Sequence, residues 1–295
     1  MSAGVTTARE RRVQRAEQRR SSFSLMRNLA LREIRAEYKR TLLGRVWSLL
    51  NPVAQIAIFS LVFGVLFEIE APPGTNSGVD FFPLWIGIGV ITWGYVSGSI
   101  SGGMSALLGN AGLLSKVYFE RSVLVIASIV ASTTTFLTEL AVLVVIMAFV
   151  GGPAILLTLP LLVPLLALTI AFVIGLSLML SVALVFFRDL EHLWRIFTQI
   201  WLYASGVMFP VTLVQTAQDR FTAEGVLLNG QPLPLVTLFE LNPAERILAS
   251  FRNIIYDYAV PSLDTWLYIG LWSFGMLVIG ALVFRRFSRN VVEEL

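Results

Sequence analysis

Six stretches of this chain are long and apolar enough to cross a lipid bilayer, and that pattern leaves few folds open. They fall at about residues 46–67, 82–104, 122–150, 154–187, 193–215 and 264–284. Each meets or exceeds the roughly 20 mostly apolar residues that a helix needs to span the hydrocarbon core. In lipid the backbone must satisfy its own hydrogen bonds, and a helix does so within one segment. The expected fold is therefore an all-α integral membrane bundle of six transmembrane helices. The composition agrees, with 56% apolar and 14% charged residues, whereas a soluble domain carries about 25% charged residues.

Breakers mark the joints. Gly151-Gly152-Pro153 separates the third and fourth spans, and Pro160 and Pro164 should kink or delay the fourth helix. Basic residues set the orientation. Residues 1–45, 105–121, 188–195 and 285–295 hold 19 of the 22 Lys and Arg residues, and the intervening outer segments hold 3. Both termini are thus expected in the cytoplasm, with 216–263 as the large outer loop.

The domain plan follows. Residues 1–23 read as a basic cytoplasmic tail, too polar to build a core, and nothing beyond its charge speaks for nucleic-acid binding. Residues 24–45 place Leu25, Leu29, Ile34, Tyr38 and Leu42 at steps of four or five, with Arg27, Arg32, Arg35, Lys39 and Arg40 largely elsewhere around the helix. This is a basic amphipathic helix suited to the cytoplasmic interface. Residues 46–287 form the six-span domain, and 288–295 a second cytoplasmic tail. In the outer loop Asn242, Pro243 and Glu245 carry a helix-start signal. The helix that follows is too short and charged to span, so it should be re-entrant or lie on the outer surface.

Chemistry is sparse. Cysteine is absent, His192 is the single histidine, and a metal site is not expected. The two lysines, Lys39 and Lys116, are followed by Arg40 and Val117, so neither belongs to a phosphate-binding Gly-x-x-x-x-Gly-Lys-Ser/Thr loop. No catalytic residue and no cofactor is assigned.

Three polar columns stand out within the spans. Thr92, Tyr95, Ser99 and Gly102 form one, Ser128, Ser132, Thr135 and Glu139 a second, and Arg195, Gln199 and Tyr203 a third. Such columns serve as helix–helix glue or as a polar path, and Glu139 should face protein or water. The candidates for lining a pore are Thr92, Tyr95, Ser99, Ser132, Thr135, Glu139, Gln199 and Tyr203. Trp47, Phe81, Phe82, Trp85 and Trp266 lie near span ends and read as interfacial belt residues.

Several segments together resemble a known family. "LALREIRAEYKRTLLGRVWSLLNP" is similar to the start of ABC-2 type permeases that export polysaccharides, with Trp47, Leu50 and Pro52 in their places. "GNAGLLSKVYFERSVL" resembles the segment between spans two and three through Asn110, Leu113, Lys116, Phe119, Arg121 and Leu124. Glu120 stands where the family usually has proline, and a second proline is missing. "FFRDLEHLWRI" resembles the turn between spans four and five through Arg188, Asp189 and His192. The basic N-terminal tail looks closest to actinobacterial members, in particular the mycobacterial exporters of lipid-linked galactan.

The resemblance implies a permease subunit of the bacterial inner membrane, not an enzyme, working in cell-wall biogenesis. It would pair with a second copy of itself and be driven by two copies of a separate ATP-binding subunit, which would hold the ATP and magnesium. Asn110, Lys116, Phe119, Arg121, Arg188, Asp189 and His192 would receive that subunit's motion. Arg35, Lys39, Arg40 and Arg45 would flank the loading site for a polyprenyl-pyrophosphate-linked polysaccharide. The alternatives are an ABC-2 exporter of a lipid or drug and, less well supported, an integral-membrane glycosyltransferase.

Overall fold

The computed structural model describes residues 24–34, 46–114 and 119–288. Arg35, Lys39, Arg40, Arg45 and Lys116, both outermost tails and the second half of the expected interface helix lie outside the described residues. The described part of that interface helix is helical over 24–34 (α1).

The chain continues as α2 (Val46–Phe59), which passes without a break into a π-helical stretch, Ser60–Leu66. α3 (Phe82–Gly109) runs back, followed by one short turn, α4 (Ala111–Leu114), and by α5 (Ser122–Val150). After the Gly-Gly-Pro joint, where Gly152 takes φ +88°, come α6 (Ile155–Thr158), a 3-10 turn at Leu159–Leu161 and α7 (Leu162–Phe186). Pro160 sits in that 3-10 turn and delays the long helix, as its missing N–H requires.

α8 (Leu190–Ala204) and α9 (Val211–Ala223) lead to a small hairpin, β1 (Leu227–Leu228) and β2 (Gln231–Pro232). The hairpin is antiparallel, with Leu228 opposite Gln231. Its turn residues Asn229 and Gly230 have φ +52° and +78°, the left-handed pair that an Asn-Gly turn supplies. α10 (Leu235–Glu240), α11 (Pro243–Ile255) and α12 (Leu263–Phe287) complete the order.

α3 is the central element, packed against α5 and α7, with α12 on the other side of α7. Gly175 of α7 and Gly280 of α12 let these two helices touch, because a Cβ on either would collide with the other helix's backbone. Close backbone approach through small residues is the usual way helices bind one another in lipid. By contrast α2 and the π-helical stretch after it leave Val53, Ile58, Leu61, Val65 and Leu66 exposed, an apolar face fit for lipid or for another membrane chain.

Among the described residues five helical stretches are long and apolar enough to cross a membrane: Leu49–Leu66, Phe82–Gly109, Ser122–Val150, Ile155–Phe186 and Leu263–Phe287. They fall on five of the six expected spans. The remaining stretch, 193–215, is divided between α8 and α9 by residues 205–210. Gly206 in the left-handed region at φ +63° and the missing N–H of Pro210 stop one helix before the next begins.

Candidate functional site

Two cavities flank α3. The larger, of about 960 Å³, lies between α2, α3 and α5 and is bounded at one end by α1. It gathers five of the residues expected to line a pore: Tyr95, Ser99, Ser132, Thr135 and Glu139. Asn51, Gln55 and Ser128 add further polar groups. Backbone carbonyls one turn earlier take the hydroxyl protons on α5. Ser132 Oγ donates to the Ser128 carbonyl at 3.2 Å and Thr133 Oγ1 to that of Ile129 at 2.7 Å. Tyr95 therefore donates its O–H to Thr133 Oγ1, at 2.9 Å. The Tyr95 ring stacks on Phe136, with centroids 4.3 Å apart and planes 12° from parallel.

The smaller cavity, of about 410 Å³, lies between α3 and α8. Ser97, Ser101 and Ser105 line one wall, and Trp194, Thr198 and Gln199 the other. Trp194 Nε1 donates to Ser101 Oγ at 3.0 Å. Sequence reasoning missed this serine column, although its spacing of four was there to be read. Gly98 borders both cavities, so α3 is a thin wall with hydroxyls on two faces. Two expected pore residues stand apart. Thr92 is fully buried with its Oγ1 unpartnered and lines neither cavity, and Tyr203 is 57% exposed on α8 beyond both.

At the end of α3 nearest α1 and α4, Asn110 closes the helix. Its Oδ1 accepts from Arg32 Nη2 of α1 at 2.7 Å, and its Nδ2 donates to the Ala106 carbonyl at 2.9 Å. The interface helix is thus tied directly to the segment between α3 and α5. Phe119 and Arg121 are half-buried there, while Arg188, Asp189 and His192 are exposed at the α7–α8 turn. Glu191 and Arg195 form an exposed pair at 3.7 Å on α8.

The opposite end is covered by α11. Asn242 caps it, accepting from the Ala244 N–H at 3.0 Å, and also accepts from Trp201 Nε1 at 2.8 Å and donates to the Ala204 carbonyl at 2.9 Å. Trp201 meets Trp93 edge to face at 5.4 Å, and Trp93 lies about 16 Å along α3 from its start at Phe82. From that depth α11 rises to Tyr256, whose hydroxyl accepts from the Phe81 N–H at 3.1 Å. α11 thus packs among α3, α7 and α12 and buries nine of its residues.

Its anchor is Arg252, only 8% exposed. The guanidinium donates to the carbonyls of Trp85 at 3.2 Å, Gly206 at 2.7 Å and Val207 at 2.7 Å, and lies 3.5 Å from the centroid of the Trp85 ring. Gly89 makes room for it, since a Cβ there would strike the guanidinium. Trp85 is therefore no belt residue. It is 4% exposed and gives its face to a buried cation. Glu245, one turn into α11, is also buried, with Oε2 unpartnered. Burial pushes its carboxyl up to about 7, against the opposing pull of Arg246.

The sequence profile of the ABC-2 type transporters matches residues 24–218, from α1 through both cavities to α9. The chain belongs to that family. Within this ABC-2 chain, the matched segment holds every residue assigned above to pore, coupling or loading. It stops short of α10, α11 and the Arg252 anchor. Similar proteins extend over nearly the full length. The O-antigen export system permease protein RfbA of Myxococcus xanthus is 26% identical over 272 residues, 92% of this chain and 95% of its own. Two proteins of the same name from Klebsiella pneumoniae are 22% and 21% identical, with the same coverage. An ABC-2 chain is a transporter permease rather than an enzyme, and this one is a multi-pass membrane protein.

Proposed function

We propose that this chain is the membrane half of an exporter that moves a polyprenyl-pyrophosphate-linked polysaccharide from the cytoplasm to the outside. The observation that carries the reading is the double polar face of α3, with a hydroxyl-lined cavity on each side of one transmembrane helix. A bundle built only to sit in lipid has no use for two polar cavities, whereas a hydroxyl-rich chain crossing the membrane needs such surfaces. The similar proteins are permeases of O-antigen export systems by name, which supports a polysaccharide over a drug or simple lipid. A cell-wall galactan is the cargo we favour.

The path runs over the polar faces that α3 shares with α5 and α8. Tyr95, Ser99, Ser132, Thr135, Glu139 and Gln199 are its candidate lining, and Tyr203 extends it along the exposed face of α8; Thr92, buried inside the bundle, is left out of the path. α8 exposes Arg195, Gln199 and Tyr203, groups that lipid would disfavour, so a second copy of the chain completes that side. Two ATP-binding subunits supply the power, pressing on residues 105–121 and on the Arg188–His192 turn. With both termini in the cytoplasm of the bacterial cell, Arg35, Lys39, Arg40 and Arg45 meet the pyrophosphate, whose charge needs neighbouring cations to leave water.

Depleting the chain in its host and locating the lipid-linked glycan tests this. Accumulation on the cytoplasmic side with synthesis intact is the expected result. Normal arrival outside, or failure to synthesise the glycan, would sink it.

A further inference from the structure

The cavity between α2, α3 and α5 has features that a mere passage does not require. Along α3 its lining extends from Val90 to Gly102, about 18 Å at the helical rise per residue. Gly94 and Gly98 face it, and a Cβ added at either would meet nothing within 4 Å. Packing therefore gives no reason for glycine at two successive turns of a long helix, where glycine is a poor choice. What side chains there would do is fill the cavity.

The donor and acceptor set is matched to a particular chemistry. Ser99 Oγ is fully buried, lines the cavity and has no hydrogen-bond partner among the described residues, a condition that calls for a missing ligand or water. Ser132 has given its proton to the helix backbone, so its lone pairs are left to accept. Ser128, Ser132, Thr135 and Glu139 recur about one helical turn apart, roughly 5.4 Å, close to the length of one sugar unit in a chain. Glu33 and Glu139 aside, the polar side chains among the described lining residues are uncharged: serine, threonine, tyrosine, asparagine and glutamine, a donor and acceptor set that matches hydroxyl-bearing ligands.

We propose that this cavity, inside each protomer and separate from the α8-facing side, is a binding site for neutral glycosyl units, with Ser99 as the hydroxyl that bonds them and Ser132 on the wall beside them. This rests on the export reading only for the source of the sugar. The ligand could be a segment of the exported polysaccharide or the headgroup of a membrane glycolipid, and the chemistry of recognition is the same.

The chain has no cysteine, so one introduced thiol reports its own site. Ser132→Cys is placed in the full-length chain in nanodiscs of phosphatidylglycerol and phosphatidylcholine, and its rate of alkylation by N-ethylmaleimide is followed. The probes are neutral oligosaccharides of glucose, galactose or arabinose in solution, a diglucosyl diacylglycerol in the disc, and inorganic pyrophosphate. At a saturating concentration the matching saccharide should slow alkylation at least about five-fold by simple occupancy, and pyrophosphate should not.

Protection by a soluble oligosaccharide supports the site and makes the exported chain its source. Protection by the glycolipid alone supports the site and makes the membrane its source. Protection by neither, or equal protection by pyrophosphate, overturns the proposal. Gly94→Leu in the same background should abolish protection by filling the cavity, and Val145→Cys on the exposed face of α5 should show none. Should depletion leave export intact while saccharide still protects Ser132→Cys, the function reading falls and the site stands. Accumulation of glycan without protection has the opposite meaning.

Discussion

α8 and α11 look alike on paper and end in opposite surroundings. Each is short, amphipathic and charged, with 15 and 13 residues. α8 buries one residue, Trp194, whereas α11 buries nine, including Glu245 and Arg252. α8's charges pair with each other in the open, Glu191 with Arg195, while Arg252 has no carboxylate within ion-pair distance among the described residues and is satisfied by three carbonyls instead. The difference separates a helix whose polar groups are satisfied inside the bundle from one that leaves its polar face uncovered.

The sharpest way to break that contrast is at Arg252. Arg252→Met removes three charge-assisted hydrogen bonds and the stack on Trp85, and leaves three carbonyls in a place water does not reach. We expect a loss of about 3–5 kcal/mol, seen as a large fall in the melting temperature of the detergent-solubilised chain. Arg252→Lys keeps the charge but not the fork and should fall between. A melting temperature unchanged by Arg252→Met would mean that α11 is held by its apolar contacts alone.

Why Arg252 escaped notice in the sequence is plain from its partners. Its carbonyls come from residues 85, 206 and 207, and no local spacing announces a contact across 167 or 45 positions. Trp85 was misjudged for the same reason, since a tryptophan at a span end reads as a belt until a cation covers its face. The start of α11 was legible because an N-cap is local chemistry: Asn242, Pro243 and the first turn lie side by side. The joint at Gly152 and the delay at Pro160 were equally local. The break between α8 and α9 was in view at Gly206 and Pro210, but a hydropathy window averages over two such residues. The polar columns showed in their spacing, though nothing in them says which of two cavities a residue joins, as Gln199 and Ser132 demonstrate.

Next in size are two changes at the foot of α11. Asn242→Ala loses the cap and the bonds to Trp201 and Ala204, at about 2 kcal/mol, and chemical denaturation would measure it. Glu245 makes a pH-dependent contribution of comparable order. Its folded-state pKa of about 7 lies above the unfolded value near 4.5. The folded state therefore holds the proton more tightly, and the stability this lends is present below pH 4.5 and lost as pH rises through 7. Glu245→Gln should be the more stable chain at pH 8, by on the order of 1–3 kcal/mol, with the gap closing towards pH 5. A gap constant with pH would show that the carboxyl titrates normally.

The smallest expected effect on the monomer is the most telling for α8. Arg195 is exposed and its pair with Glu191 is long, so Arg195→Met should change the stability of the monomer by well under 1 kcal/mol. If α8 faces a second copy across an aqueous path, the same substitution should still reduce export. Single cysteines at Ile196 and Tyr203 should then cross-link between copies when oxidised, whereas one at Ser250 of α11 should not. Cross-linking at neither α8 position, with export intact in Arg195→Met, would place that face against lipid. An exposed arginine and glutamine would then need another explanation, because lipid disfavours such groups on a helix face.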